Sequence, residues 1–265
     1  MKIKTKVSSL KEFLELASVK GRALESSRQE HLINNLLIKV GADGSASVAA
    51  MDKECAILVR MKYTGFSESE EGEFPIGDVE AFLSFLDRFA ATDEVILSID
   101  GNEVCIKREK PRKTAFVPLT GADMIDSAKP VSAMSERLTV KDIPTFKGTD
   151  DKEIALSTQI KCDVKNLQDV IGDGASINQF SFPFKVSEDG KFIAGVGEKG
   201  AGRFVSEIAS EIEGGNDIES NYSYGVDAIF SVLKGKIVLN LGNGSPLLIR
   251  QKDAKHQIMY FVSPA

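Results

Sequence analysis

Two hydrophobic periods alternate along this chain. Four short segments carry apolar residues at helical spacing, and the stretches between them alternate or run apolar over a few positions, as strands do. The first predicted helix places Leu10, Phe13, Leu14 and Ala17 on one face, with Ser9 and Glu12 spaced as a capping box. The second gathers Val79, Phe82, Leu83 and Leu86 behind Asp78, a good N-cap residue. The third gathers Val164, Leu167 and Ile171 after Asp163, and the fourth gathers Val226, Ile229, Phe230 and Leu233 and stops at Gly235. All four are about three turns long and amphipathic, so each is expected to lie on a core with one face wet.

Strand-like runs fill the intervals. Residues 32–40 lead through the turn signal Gly41-Ala42-Asp43-Gly44 into 45–51, and 57–63 follow. Asp100-Gly101 joins 93–99 to 104–106 as a hairpin. The second half repeats the scheme with 182–186, 192–196, 203–208, 236–241, 247–249 and 258–262. The first and third helices lie about 150 residues apart, and so do the second and fourth, which marks an internal duplication of a β-rich unit containing two helices. Hairpin connections make the sheets antiparallel, with helices on one face, so the fold class is α+β. The polar stretch with Pro130 and Pro144 separates the halves. The expected organisation is a unit over 1–119, a connector over 120–151 and a second unit over 152–265.

Composition narrows the function. With 265 residues and 42% hydrophobic residues, the chain can bury the cores of two ordinary domains. It has no run of roughly 18 apolar residues, so no membrane span is expected. Residues 1–13 are basic without an apolar stretch and do not read as a signal peptide. Cys55, Cys105 and Cys162 are dispersed and odd in number, which suits reduced thiols in an intracellular protein. In that setting the Asn-x-Ser triplets at Asn221 and Asn243 carry no weight. A net charge of −6 disfavours coating nucleic acid by bulk charge, though not one basic surface on an acidic body. The only histidines are His31 and His256, and no CxxC, HExxH or GxSxG occurs. The glycines from Gly195 to Gly202 lack the Lys-Ser/Thr of a phosphate loop and read as a mobile hairpin, and Glu68 to Glu73 read as a flexible solvated loop. Nothing assembles a nucleophile, base and electrophile, so neither an enzyme nor a cofactor or metal is expected.

Two local strings carry a resemblance. Residues 45–52 end in Met51-Asp52 after a glycine hairpin and lead into the apolar run Ile57-Leu58-Val59. Near the other end, Pro246-Leu247-Leu248-Ile249 precedes a charged turn and the aromatic run Met259-Tyr260-Phe261-Val262-Ser263-Pro264. In position and order these resemble the sliding clamps of the proliferating cell nuclear antigen family, whose two duplicated domains match the repeat found independently. The chain departs from that pattern in Ser263 for a usual Ala, in Cys55 for a frequent His, in the missing acidic tail and in a longer connector.

The resemblance implies a ring, expected as a homotrimer, with sheets outside and four short helices lining a hole for double-stranded DNA. Partners would be a DNA polymerase, a clamp loader and other proteins carrying a clamp-binding peptide, at a DNA-associated, intracellular location. Cations on the helix faces and ends that would meet phosphates are Lys11, Lys20, Arg22, Arg88, Lys165, Lys234 and Lys236. The matching client-pocket positions are Met51, Ala56, Leu58, Pro246, Phe261, Val262, Ser263 and Pro264, where the last four read as an apolar tail with little reason to be exposed unless it binds something. Ring closure would join strands near 114–120 and 201–209, with Arg112 and Lys113 facing Glu207, Glu211 and Glu213. The alternatives are a specialised or checkpoint clamp subunit, and a clamp-fold adaptor that does not encircle DNA.

Overall fold

The structure is a computed structural model that describes residues 1–22, 29–121, 136–148, 152–177, 181–200, 202–223 and 225–265. The first half runs β1 (Lys2–Lys6), α1 (Val7–Ser18), β2 (Lys20–Arg22), β3 (Gln29–His31), β4 (Leu36–Val40), β5 (Ala46–Met51) and β6 (Ile57–Tyr63). It continues with β7 (Glu68–Ser69), β8 (Gly72–Ile76), α2 (Val79–Leu86), β9 (Glu94–Asp100), β10 (Glu103–Arg108) and β11 (Lys113–Pro118). Within the expected connector lie β12 (Leu138–Thr139) and β13 (Thr145–Lys147), and just past its end β14 (Glu153–Ala155) completes their small sheet. The second half runs β15 (Thr158–Asp163), α3 (Val164–Ile177), β16 (Phe182–Val186), β17 (Phe192–Glu198), β18 (Gly202–Ile208), β19 (Ser210–Glu213) and β20 (Ile218–Tyr222). It closes with α4 (Val226–Val232), β21 (Lys236–Leu241), β22 (Leu247–Lys252) and β23 (His256–Val262).

Local chemistry explains most element ends. Asp78 accepts from the Ala81 N–H at 2.9 Å, and Asp163 accepts from the Lys165 N–H at 3.0 Å, so both predicted acidic starts of helices hold. The capping box at Ser9 does not form. α1 begins at Val7, where Val7 and Ser8 donate to the Asp93 and Ala91 carbonyls, so loop oxygens from elsewhere satisfy its first N–H groups. The strand expected over 32–40 starts only at Leu36. Leu32 and Ile33 instead donate to the Val19 and Ser18 carbonyls and extend the β2–β3 hairpin. The acidic run 68–73 is not a free loop: β7 pairs with β1, Glu68 meets Lys4, Glu70 meets the N-terminal ammonium and Glu73 meets Lys39.

Sheet order exposes the duplication. One sheet runs β11-β10-β9-β1-β7, and half of the nine-stranded sheet runs β23-β22-β21-β15-β19 in the same sequence of elements. The other half of that sheet, β6-β5-β4-β8, is repeated as the separate sheet β18-β17-β16-β20. The two halves of the chain therefore fuse at one antiparallel ladder, β23 on β6, from His256 opposite Tyr63 to Val262 opposite Ile57. Every ladder in these sheets is antiparallel. The helices touch in the order α2, α1, α4, α3 and bury their apolar faces against the sheets in one main core. Gly21 seals the contact between halves, because a Cβ there would lie 2.4 Å from the Ala228 Cβ of α4.

Candidate functional site

The helix layer is the surface expected to meet DNA. The four helices contain two lysines, Lys11 and Lys165, against six acids: Glu12, Glu15, Glu80, Asp169, Asp173 and Asp227. Lys165 is exposed, whereas Lys11 is half-buried and ion-paired with Asp87. Lys20, Lys234 and Lys236 are exposed at element ends, beside α1 and α4, and Arg88 is exposed just past α2. Lys11 lines one groove with Lys234 and another with Lys20, and Glu15 lines both; Lys165 sits apart on α3. The side chain of Arg22 lies outside the described residues. His31 is buried in this layer, and its Nδ1 lies 2.7 Å from the Ser18 Oγ. Ser18 itself donates to the Leu14 carbonyl, so the imidazole carries the proton at Nδ1. Burial first, and then the Lys20 charge, lowers the His31 pKa.

The client-pocket positions come together, but under a cover. Met51, Leu58, Leu248 and Phe261 form a second apolar cluster, on the face of the nine-stranded sheet opposite the main core. Leu138 and Leu156 are buried in it, and the Phe146 ring packs on Phe261 at 4.7 Å between centroids. Leu138 and Phe146 belong to the β12–β13–β14 sheet of the connector, and Leu156 follows it. Pro246 is buried, Ala56 and Ser263 are half-buried, and Pro264 is exposed. The expected exposed tail is absent: β23 lies between β22 and β6, and Val262 points into the main core at 0% exposure. Alternation along a strand sends Phe261 and Val262 to opposite faces, so only Phe261 can serve the hollow. Asp52 shapes the adjoining turn, accepting from the Ile57 N–H at 2.6 Å and the Glu54 N–H at 3.1 Å. That turn in turn accepts the Ser263 N–H at the Ala56 carbonyl, 2.9 Å away. Leu138, Phe146 and Leu156 were not foreseen from the sequence; the one signal was an isolated aromatic following Pro144 in a polar stretch.

The third surface is a pair of strand edges. β11 pairs only with β10 and β18 only with β17 among the described residues. Apolar side chains stand in solvent on both, Phe116 at 49% exposure and Phe204 and Val205 at 40% and 52%. Long open edges with apolar side chains are ordinarily paired or protected. Of the acids expected there, Glu207 lies on β18 and pairs with Lys191, whereas Glu211 and Glu213 lie on β19 in the nine-stranded sheet, where Glu213 pairs with Lys161. Lys113 donates to the Arg88 carbonyl and sits over the Phe89 ring. Among the described residues no group of His, Cys, Asp and Glu could hold a metal ion.

Two copies of one β-rich unit, a continuous layer of helices on one side, and an open-edged strand in each half, among the described residues, define a two-domain clamp architecture. No protein-family model and no curated protein matches the chain. Solved structures do, and their fold is that of the proliferating cell nuclear antigen clamps. The antigen of Entamoeba histolytica is 12% identical with a TM-score of 0.72, covering 100% of this chain and 98% of that one. The clamp of A. fulgidus, solved with the C-terminal region of FEN-1, is 15% identical with a TM-score of 0.70 and the same coverage. A PCNA2–PCNA3 complex from Sulfolobus tokodaii is 17% identical with a TM-score of 0.71, covering 100% of this chain and 99% of that one. At these identities the likeness shows the fold, and this chain is a divergent example of it.

Proposed function

We propose that this protein is a sliding clamp: copies of the chain close head to tail into a three-membered ring that encircles duplex DNA and tethers a polymerase and other DNA enzymes to it, without catalytic activity of its own. One observation carries the reading. Aligning the two halves on their hydrogen-bond registers makes β11 the counterpart of β23 and β18 the counterpart of β6, with Phe116 matching Phe261 and Phe204 matching Val59. Since β23 and β6 form the junction inside the chain, their unpaired counterparts are shaped to form the same junction between chains. Carrying the register across puts Thr114 opposite Val205, Phe116 opposite Arg203 and Arg112 opposite Glu207, an opposite-charge pair. Such a contact is heterologous, and it closes into a ring when the rotation per copy suits. Tethering would use the hollow around Phe261, which supports peptide docking once the connector lifts; one similar clamp is solved with the C-terminal region of FEN-1.

A second reading is favoured by the helix charges. Six acids against two lysines suit a phosphate backbone poorly, since affinity for it comes from released counterions at Lys and Arg. On that reading the ring is an adaptor that does not grip DNA. Light scattering and retention on DNA separate the two. A mass near three times 28.7 kDa, with retention on circular but not linearised duplex, is the expected result. A stable monomer would remove the ring, and a trimer not retained on circular DNA would leave the adaptor.

A further inference from the structure

The outer face of the nine-stranded sheet holds a second hollow, an open groove of about 760 Å³. Its floor is a straight row across five strands. Ala49 of β5 stands opposite Arg60 of β6, Arg60 opposite Met259 of β23, Met259 opposite Arg250 of β22, and Arg250 opposite Val238 of β21. Residues directly opposite in a sheet share a face, so both guanidinium groups rise from this floor with the Met259 thioether between them. Two strand spacings set them about 10 Å apart. Val140 of the connector, 43% exposed, forms part of the wall.

The charge of the groove is one-sided. Its ionisable residues among those described are Lys39, Arg60, Lys62, Arg250 and Lys252, and no described acid lines it, although the chain as a whole carries −6. Lys39 and Lys62 are paired on the exposed surface, with Glu73 and Asp43. Among the described residues the two arginines have no such partner. Arg250 donates through Nη2 to Gln159 and Asn240, both neutral, and its Nε is buried without an acceptor. Arg60 has no hydrogen-bond or ion-pair partner among the described residues, and burial withdraws part of it from water. A half-desolvated guanidinium without a counter-charge is a costly arrangement that a carboxylate would relieve.

We propose that this groove docks an acidic segment of a partner protein, with two carboxylates paired to Arg60 and Arg250 and an apolar side chain between them resting on Met259. A peptide fits better than a nucleic acid. Among the described residues no aromatic side chain lines the groove to stack a base; Met259 lies between the arginines, and Ala49, Val238 and Val140 flank them as aliphatic ground. Acids seven residues apart on one helix face lie about 10 Å apart, and the residues midway project to the same side. The groove shares Met259 with the covered hollow but is open while that hollow is filled. Docking there requires neither a ring nor DNA, so it stands or falls separately from the clamp reading.

The test measures fluorescence anisotropy on the full chain without DNA. The probe is a fluorescein-labelled, alanine-based helical peptide with two glutamates seven residues apart and leucines midway. Saturable binding is expected, weakened at least about tenfold by Arg60→Gln, the size of one lost charge-assisted hydrogen bond. Arg60→Lys should restore part of it. Arg60 is the position to change, because Arg250 also organises Gln159 and Asn240. An unchanged circular dichroism spectrum and melting temperature would show that Arg60→Gln keeps the fold. Failure to bind, equal binding of the same peptide with glutamine for glutamate, or unaltered binding to Arg60→Gln would each overturn the proposal. So would displacement by an oligothymidylate of equal affinity, which would make the groove a nucleic-acid site.

Discussion

At the scale of single residues, side-chain chemistry was legible where its partner was local. Asp78 and Asp163 each bond an N–H within three residues, so type and spacing sufficed. Ser9 failed as a cap because the acceptors that start α1 belong to Ala91 and Asp93, far along the chain. Lys11 reads as a free cation in sequence and is tied to Asp87 in space. His31 has a consequence of the same kind. Its folded pKa is lowered below the ordinary 6.5, against the raising influence of Glu80 and Asp78, so its neutral form is the one the fold prefers. That contribution to stability is complete above pH 6.5 and is lost as pH falls below it. The melting temperature should therefore drop between pH 7 and pH 5, and His31→Gln should flatten the drop; an equal slope in the variant would assign the acid sensitivity elsewhere.

At the scale of elements, long periodic segments were readable and short ones were not. β12, β13 and β14 have two or three residues each, too few to show alternation, so a polar connector concealed a small sheet. The acids of 68–73 hid β7 in the same way, because charge outweighed period over two residues. The client-pocket positions were named from local strings, yet their cover was invisible: the contact of Phe146 with Phe261 joins positions more than a hundred residues apart. Phe146→Ala should lower stability by about 1–3 kcal/mol, less than a fully buried ring costs, since this ring is only partly buried. If the hollow is the client pocket, the same change should tighten binding of a peptide with paired aromatic anchors, measured by calorimetry. Unchanged or weaker binding would make the connector sheet part of the pocket and not its lid.

At the scale of the whole molecule, the duplication was visible in the spacing of helices, but its meaning for assembly needed sheet order. The resemblance had pointed to strands near 114–120 and 201–209, and the observed pairing of β23 with β6 makes β11 and β18 the open counterparts of that junction. The register carried across that match makes a specific demand. If the chain forms the proposed ring, Arg112→Glu should dissociate it in light scattering at low salt, and Glu207→Arg added to it should restore the mass. Failure of the pair to rescue would place the two residues in another register. Glu207 already meets Lys191, so rescue is expected to be partial.

The β23–β6 ladder also changes what the connector is for. Seven paired residues and a shared core hold the halves together, so the covalent link between them is mechanically redundant. Two separate polypeptides, divided between residues 121 and 136, would retain the same ladder and the same core. A segment relieved of tethering is free to take another part, and here it carries a small roof laid across Phe261 and bordering the arginine groove.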